Sequence, residues 1–214
     1  MEFQKDIIFF ESLDKFASIA HHKYFMAQLE SFSERVRQAA ERIAESREAA
    51  LSGLFDLTAV RLVRYSTTIT RNQHDAEDAL QIALVRVASS PLCLIRADRP
   101  WAYLLKMVRN ESLVILRRKK RWTLLGNLSD LLTQTRVDDS PIENMNLEVW
   151  RALRTLPTEQ SEVVVLKIWE ELTFAQIAEL LEISPATAAS RYRYALEKLE
   201  LKILASASAS EAYR

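Results

Sequence analysis

The chain has 214 residues, 49% of them hydrophobic, and its 29 basic residues balance its 29 acidic ones. That is enough apolar material for one large core or two small ones, which excludes global disorder, and zero formal charge excludes a protein that grips nucleic acid by bulk charge alone. Only two glycines occur, Gly53 and Gly126, so hairpins and phosphate loops lack their turn residue; the abundance of Ala, Leu, Glu and Arg predicts an all-α fold.

The lone Cys93 permits no intramolecular disulfide and fits a reducing cytoplasm. His21, His22 and His74 show no metal-ligand spacing with it, so neither a metal nor a cofactor is expected. The acidic start and the lack of a long apolar run predict no signal peptide and no membrane insertion.

Residues 1–50 read as a charged, mostly helical N-terminal extension. Phe3, Ile7, Ile8, Phe9, Phe10 and Phe16 suit packing on the first domain or binding a regulator; a true start at Met26 is the plainer alternative. Arg35 to Glu48 has a narrow apolar stripe of Val36, Ala39, Ala40 and Ile43, the pattern of a helix that extends the first domain.

Residues 51–122 form a first helical domain, with breaks at Arg71–His74 and Ser89–Pro100. Asp75 opens a helix, DAEDALQIALVRVA, whose core stripe is Ala76, Leu80, Ala83, Leu84 and Val87. The opposite side holds Asp78, Gln81, Ile82 and Val85, with Glu77 at its edge. Apolar residues rimmed by polar ones suggest a partner surface, unless residues 1–50 or a linker helix cover it.

The next helix, AYLLKMVRNESLVILRRKKRW, turns Leu104, Leu105, Val108, Ser112, Ile115 and Leu116 inward. Tyr103, Lys106, Asn110, Arg117, Lys120 and Arg121 line the other face. From Tyr103 to Trp122 there are seven basic residues, including Arg109 and Arg118, against one acid, Glu111. Such a stripe, with an aromatic and an amide, can follow phosphates and stack on unpaired bases. Cations at a helix C-terminus also suit the helix dipole, but that accounts only for Arg117–Arg121.

Residues 123–143 are a polar, acidic linker broken at Asp138-Asp139-Ser140-Pro141. Leu124, Leu125, Leu128, Leu131 and Leu132 leave room for a short helix inside it. Residues 144–204 form a second helical domain. Thr158 is placed to cap a helix running to about Lys167. Thr173 caps the next, with Gln176 completing a capping box and Phe174, Ile177, Ala178 and Leu181 as its apolar stripe. Ser184 caps a third, with Pro185 at its first position. Two short helices joined by a three-residue turn are the helix-turn-helix pattern. The third helix turns Ala188, Tyr192, Ala195, Leu196 and Leu199 inward and Thr187, Ser190, Arg193 and Tyr194 outward; a generic helical hairpin with a solvated face is the alternative. Residues 205–214, ASASASEAYR, read as a frayed, disordered tail.

Two stretches resemble the extracytoplasmic-function (ECF) sigma factors of the sigma-70 superfamily. DAEDALQ followed by YLLKMVRNESLVILRRKKR is similar to the family's N-terminal conserved domain. The run from LPTEQ through ELTFAQIAELLEISPATAASRYRYALEKL looks like its C-terminal domain. The resemblance implies two domains joined by a flexible linker. The first helix, through Asp75, Glu77, Asp78, Gln81, Ile82 and Val85, would dock on the clamp of the polymerase β′ subunit. Tyr103, Lys106, Arg109, Asn110, Arg117, Arg118, Lys120 and Arg121 would hold the melted minus-ten element. Thr187, Ser190, Arg191, Arg193 and Tyr194 would read the minus-thirty-five element. The chain departs from the family at Ile82, where an acid is common, and at Tyr103, where Trp is common. Glu182 stands where the turn usually has Gly, and Ala189, Tyr194 and Leu196 stand where basic residues are frequent.

The resemblance thus implies a non-enzymatic protein whose partners are core RNA polymerase, through its β and β′ subunits, and promoter DNA. An anti-sigma factor is a further expected partner, unless residues 1–50 act in its place. The competing reading is a stand-alone helix-turn-helix regulator that binds an operator as a dimer without polymerase. An enzyme would need a phosphate loop, a Ser-His-Asp set or a metal cluster, and the sequence offers none of these patterns.

Overall fold

The computed structural model of the chain describes residues 32–43, 47–124 and 147–211; the expected linker from residue 125 on and the apolar residues 1–25 lie outside the described residues. All described secondary structure is helical, as expected for an all-α chain. A first group comprises α1 (residues 32–43), α2 (Arg47–Thr70), α3 (Gln73–Ser89), the short α4 (Leu92–Ile95) and α5 (Pro100–Leu124). A second group comprises α6 (Leu147–Arg154), α7 (Thr158–Ile168), α8 (Phe174–Leu181) and α9 (Pro185–Glu211).

The charged stretch expected as one helix from Arg35 to Glu48 begins at residue 32, and its described part ends at residue 43. Val36, Ala40 and Ile43 are fully buried. Arg37 donates to the Ile95 carbonyl at 2.6 Å, and Phe32 meets Trp101 edge-on at 4.8 Å between centroids. The core of the first group therefore takes in α1, upstream of the expected domain start at residue 51.

Helix α2 contains YSTTIT, a β-branched run that disfavours helix. Its hydroxyls are satisfied within the helix: Thr67, Thr68 and Thr70 each donate to the carbonyl four residues back, at 2.8–3.1 Å. The helix ends at Arg71, which takes the left-handed conformation usually given to glycine (φ 58°). Helix α3 then opens at Gln73. The start therefore lies two residues before Asp75, and Asn72 is the capping residue, its side chain accepting from the Asp75 N–H at 3.0 Å. The stripe Ala76, Leu80, Ala83, Leu84 and Val87 is buried as its spacing predicts. Helix α5 buries Trp101, Leu104, Leu105 and Val108, and its Ser112 hydroxyl bonds to that of Ser66 in α2 at 2.7 Å.

In the second group, Thr158 does not cap α7. It is the first helical residue, and Pro157 precedes it without a side-chain capping bond, so proline geometry starts this helix. Thr173 and Gln176 form the expected capping box on α8. Ser184 accepts from the Thr187 N–H at 3.0 Å and caps α9. Ala188, Ala195 and Leu199 are buried, and Tyr192 packs edge-on against Phe174 at 5.6 Å. The stretch expected as a disordered tail from residue 205 is helical through Glu211; its alanines carry high helix propensity and continue α9.

The two groups touch. Helix α2 lies on α7 and α5 lies on α8, so the apolar cores merge into one cluster.

Candidate nucleic-acid interface

Three surfaces carry the residues singled out by sequence. On α3, Asp78, Gln81 and Val85 are exposed, Val85 at 63%, with Ile82 and Glu77 half-buried beside them. This is one mixed polar and apolar face. Asp75 is not on it. Its side chain is nearly buried and pairs with Lys119 of α5 at 2.6 Å, which ties the two helices together.

On α5 the basic stripe divides in two. Towards the C-terminus Arg117, Arg118, Lys120 and Arg121 are exposed, with Trp122 at 65% extending the stripe as an open aromatic face. The one acid in the stripe, Glu111, is buried and paired with Arg86 of α3 at 2.8 Å, so it does not neutralise these cations. Towards the N-terminus Tyr103 and Asn110 are exposed, whereas Lys106 and Arg109 are already engaged. Lys106 pairs with Glu182 in the helix-turn-helix turn at 2.9 Å. Arg109 donates to Glu162 of α7 at 2.8 Å. Burial is the largest influence and opposes the charge of Arg109, but Glu162, Tyr65 and Glu182 together outweigh it and hold the guanidinium above its ordinary pKa.

On α9, Thr187, Arg193 and Tyr194 are exposed, and Ser190 and Arg191 half-buried. The Thr187 hydroxyl is shared with Ser184 at 2.8 Å. Arg193 has only a loose contact with Glu197, 3.9 Å away, and lies over the Tyr194 ring at 5.1 Å. An exposed guanidinium backed by an aromatic ring suits a base edge or a phosphate.

A further constellation was not legible in the sequence. Glu170, wholly buried, receives Arg64 at 2.7 Å and Arg61 at 2.8 Å, both from α2. Arg61 is also stacked over Phe32 at 4.2 Å and over Trp101 at 5.0 Å. Tyr65 donates to Glu162 at 3.2 Å, and its hydroxyl is held well above the ordinary phenol pKa by burial first and then by that carboxylate. Arg71 reaches the carbonyls of Leu153 and Leu156 at 3.3 and 2.8 Å. Burial, then the neighbouring Arg154, lowers its pKa. The only local hint is Glu162 itself, an acid set against the run Val163-Val164-Val165-Leu166.

Comparison with known proteins gives the family. Residues 54–122 match Sigma-70 region 2, and residues 146–199 match Sigma-70, region 4. The chain is 30% identical over 164 residues to the ECF RNA polymerase sigma factor SigL of Mycobacterium tuberculosis, a match covering 75% of this chain and 93% of SigL. It is 28% identical over 161 residues to the RNA polymerase sigma factor CarQ of Myxococcus xanthus, covering 74% and 92%. The fold resembles that of the sigma factor RpoE, solved in complex with the anti-sigma factor NepR from Bartonella quintana. That match has a TM-score of 0.55 and 19% identity, and covers 69% of this chain and 94% of that one. With both conserved regions in order and a relative covered almost end to end, the chain belongs to the extracytoplasmic-function sigma factors of the sigma-70 superfamily.

Proposed function

We propose that this chain binds core RNA polymerase in the cytoplasm and directs it to promoters, with no chemistry of its own. The observation that carries this is the pairing of two matched regions in one chain. The first presents a mixed polar–apolar face and a basic, aromatic helix, the second a capped helix-turn-helix. Region 2 docks on the polymerase through Asp78, Gln81, Ile82 and Val85, with Glu77 at the rim and Asp75 acting from within by fixing α3 to α5. The α5 stripe from Tyr103 to Arg121 holds the opened minus-ten strand. Thr187, Ser190, Arg191, Arg193 and Tyr194 meet the minus-thirty-five element. An anti-sigma factor, the kind of protein seen bound to RpoE, is a further partner.

No described helix is long and apolar enough to cross a membrane. Co-elution tests the proposal. The chain is expected to elute with core polymerase and to protect both promoter elements only in that complex. Protection of an operator by a dimer of the free chain would instead establish the stand-alone regulator.

A further inference from the structure

Helix α5 carries the minus-ten stripe, but its own sequence starts it poorly. Arg99, the residue before the helix, and Pro100, its first, have side chains with no hydrogen-bond acceptor, so neither can cap the free N–H groups of the first turn. The cap comes from α1. The Ser33 hydroxyl accepts from the Trp101 N–H at 3.3 Å, 68 positions apart in the chain. Phe32 meets the Trp101 ring edge-on, and Arg61 of α2 lies over both rings. One turn further along α1, Arg37 ties down the loop that leads into α5. Its guanidinium donates to the Ile95 carbonyl at 2.6 Å and to the Asp98 carbonyl at 3.2 Å. Among the described residues neither carbonyl accepts a backbone hydrogen bond, so the guanidinium supplies their partner.

We infer that Ser33 and Arg37 are positioning residues for strand opening: they fix the first turn of α5, and Tyr103 with it, against the opened minus-ten strand. The inference rests on the sigma-factor reading above and adds two residues to it. The match to Sigma-70 region 2 begins at residue 54, after α1 has ended, so it assigns a role to neither. Tyr103 is the fourth residue of α5 and lies in the turn that Ser33 caps; its side chain is 42% exposed. An uncapped first turn frays, and a ring that stacks on a base works only from a backbone held in place.

The anchor acts locally. Among the described residues the bonds of Ser33 and Arg37 go to Trp101, Ile95, Asp98 and, within α1, Glu34. None goes to the docking face of α3 or to the helix-turn-helix. Further along α5, the buried Leu104, Leu105 and Val108 and the helix's own hydrogen bonds hold the backbone, so Asn110 and the cations from Arg117 onward do not depend on the cap. Loss of the anchor is therefore a loss at Tyr103, and it leaves polymerase docking and the minus-thirty-five contacts in place.

The test is a double-mutant cycle in the full chain, read as permanganate-detected opening of a promoter mapped for this chain, with core polymerase saturating. Arg37→Ala is expected to lower the opening equilibrium by about fivefold or more, a part of what losing one stacked base costs. Affinity for core polymerase is expected to stay within about twofold of the parent. Ser33→Ala removes only the capping oxygen and is expected to lower opening by about threefold. In a Tyr103→Ala background both substitutions are expected to add less than about twofold, because they act through that ring. Equal opening by the parent and Arg37→Ala overturns the inference. So does a loss that multiplies with that of Tyr103→Ala, which would make α1 a merely structural support. If Arg37→Ala does not fold, the same cycle with Ser33→Ala decides between these outcomes. A parent chain that opens no promoter with core polymerase overturns the sigma reading as well.

Discussion

Replacing Ile82 and Val85 by glutamate should uncouple the chain from polymerase without unfolding it. Fully burying a valine or isoleucine contributes about 1.5–3 kcal/mol. Val85 is 63% exposed and Ile82 is half-buried, so docking has only the remaining area of each to cover. Scaled by those fractions the pair contributes about 1–3 kcal/mol, or roughly a 5- to 150-fold loss of affinity at about 1.4 kcal/mol per tenfold. Burying two new carboxylates opposite the partner adds to that loss. Folding should hardly change for Val85→Glu alone, because exposed substitutions stay within about 0.5 kcal/mol and glutamate favours helix over valine. The assay is the equilibrium affinity for immobilised core polymerase, with a thermal melt of each variant. A double variant that melts normally and binds core within about twofold of the parent, against the roughly 5- to 150-fold loss expected from buried area, would remove this face of α3 from the docking surface.

Arg193→Ala should cost roughly 1–3 kcal/mol and relax preference at one minus-thirty-five position if the guanidinium reads a base edge; a promoter library reads this out. If it touches phosphate, the loss should be uniform across sequences and the salt slope should fall by about one. Neutralising Arg117 and Lys120 should reduce open-complex formation at all promoters alike, measured by permanganate reactivity, because phosphate contacts carry little sequence information. Burial pushes the Glu171 carboxyl up to about 7 from an ordinary 4.5, Arg61 opposing the rise and Glu170 adding to it. The folded state therefore favours the protonated form. That contribution is complete below about pH 4.5 and is lost as pH rises through about 7. Glu171→Gln, neutral at every pH, should raise the melting temperature relative to the parent at pH 8 and not at pH 5.

What could be read from the sequence was what is local. The box of Thr173 and Gln176, the Ser184 cap and the buried stripes of α3 and α9 depend on residues three or four apart, and spacing finds them. Long-range pairing was invisible. Lys106 and Arg109 read as free cations because their acids are distant in the chain, Glu162 lying 53 residues beyond Arg109. Asp75 read as a surface acid for the same reason, its partner Lys119 standing 44 residues on. The stripe of Val36, Ala40 and Ile43 announced a helix but not the core that it joins. The left-handed turns at Arg71 and Glu171 gave no signal because neither uses glycine, whereas Glu182 was marked by standing where the family's turn usually has Gly. The Ala–Ser tract after Leu204 was read by its low complexity, whereas its alanines carry the helix on to Glu211.

The central claim, that this chain gives polymerase its promoter specificity, is tested most directly by transcription with purified core polymerase and genomic DNA fragments, with start sites mapped with and without the chain. The account predicts discrete new start sites that appear only when the chain is present, each preceded by shared minus-ten and minus-thirty-five elements. An unchanged set of start sites, with the chain bound to DNA in the absence of polymerase, would contradict it.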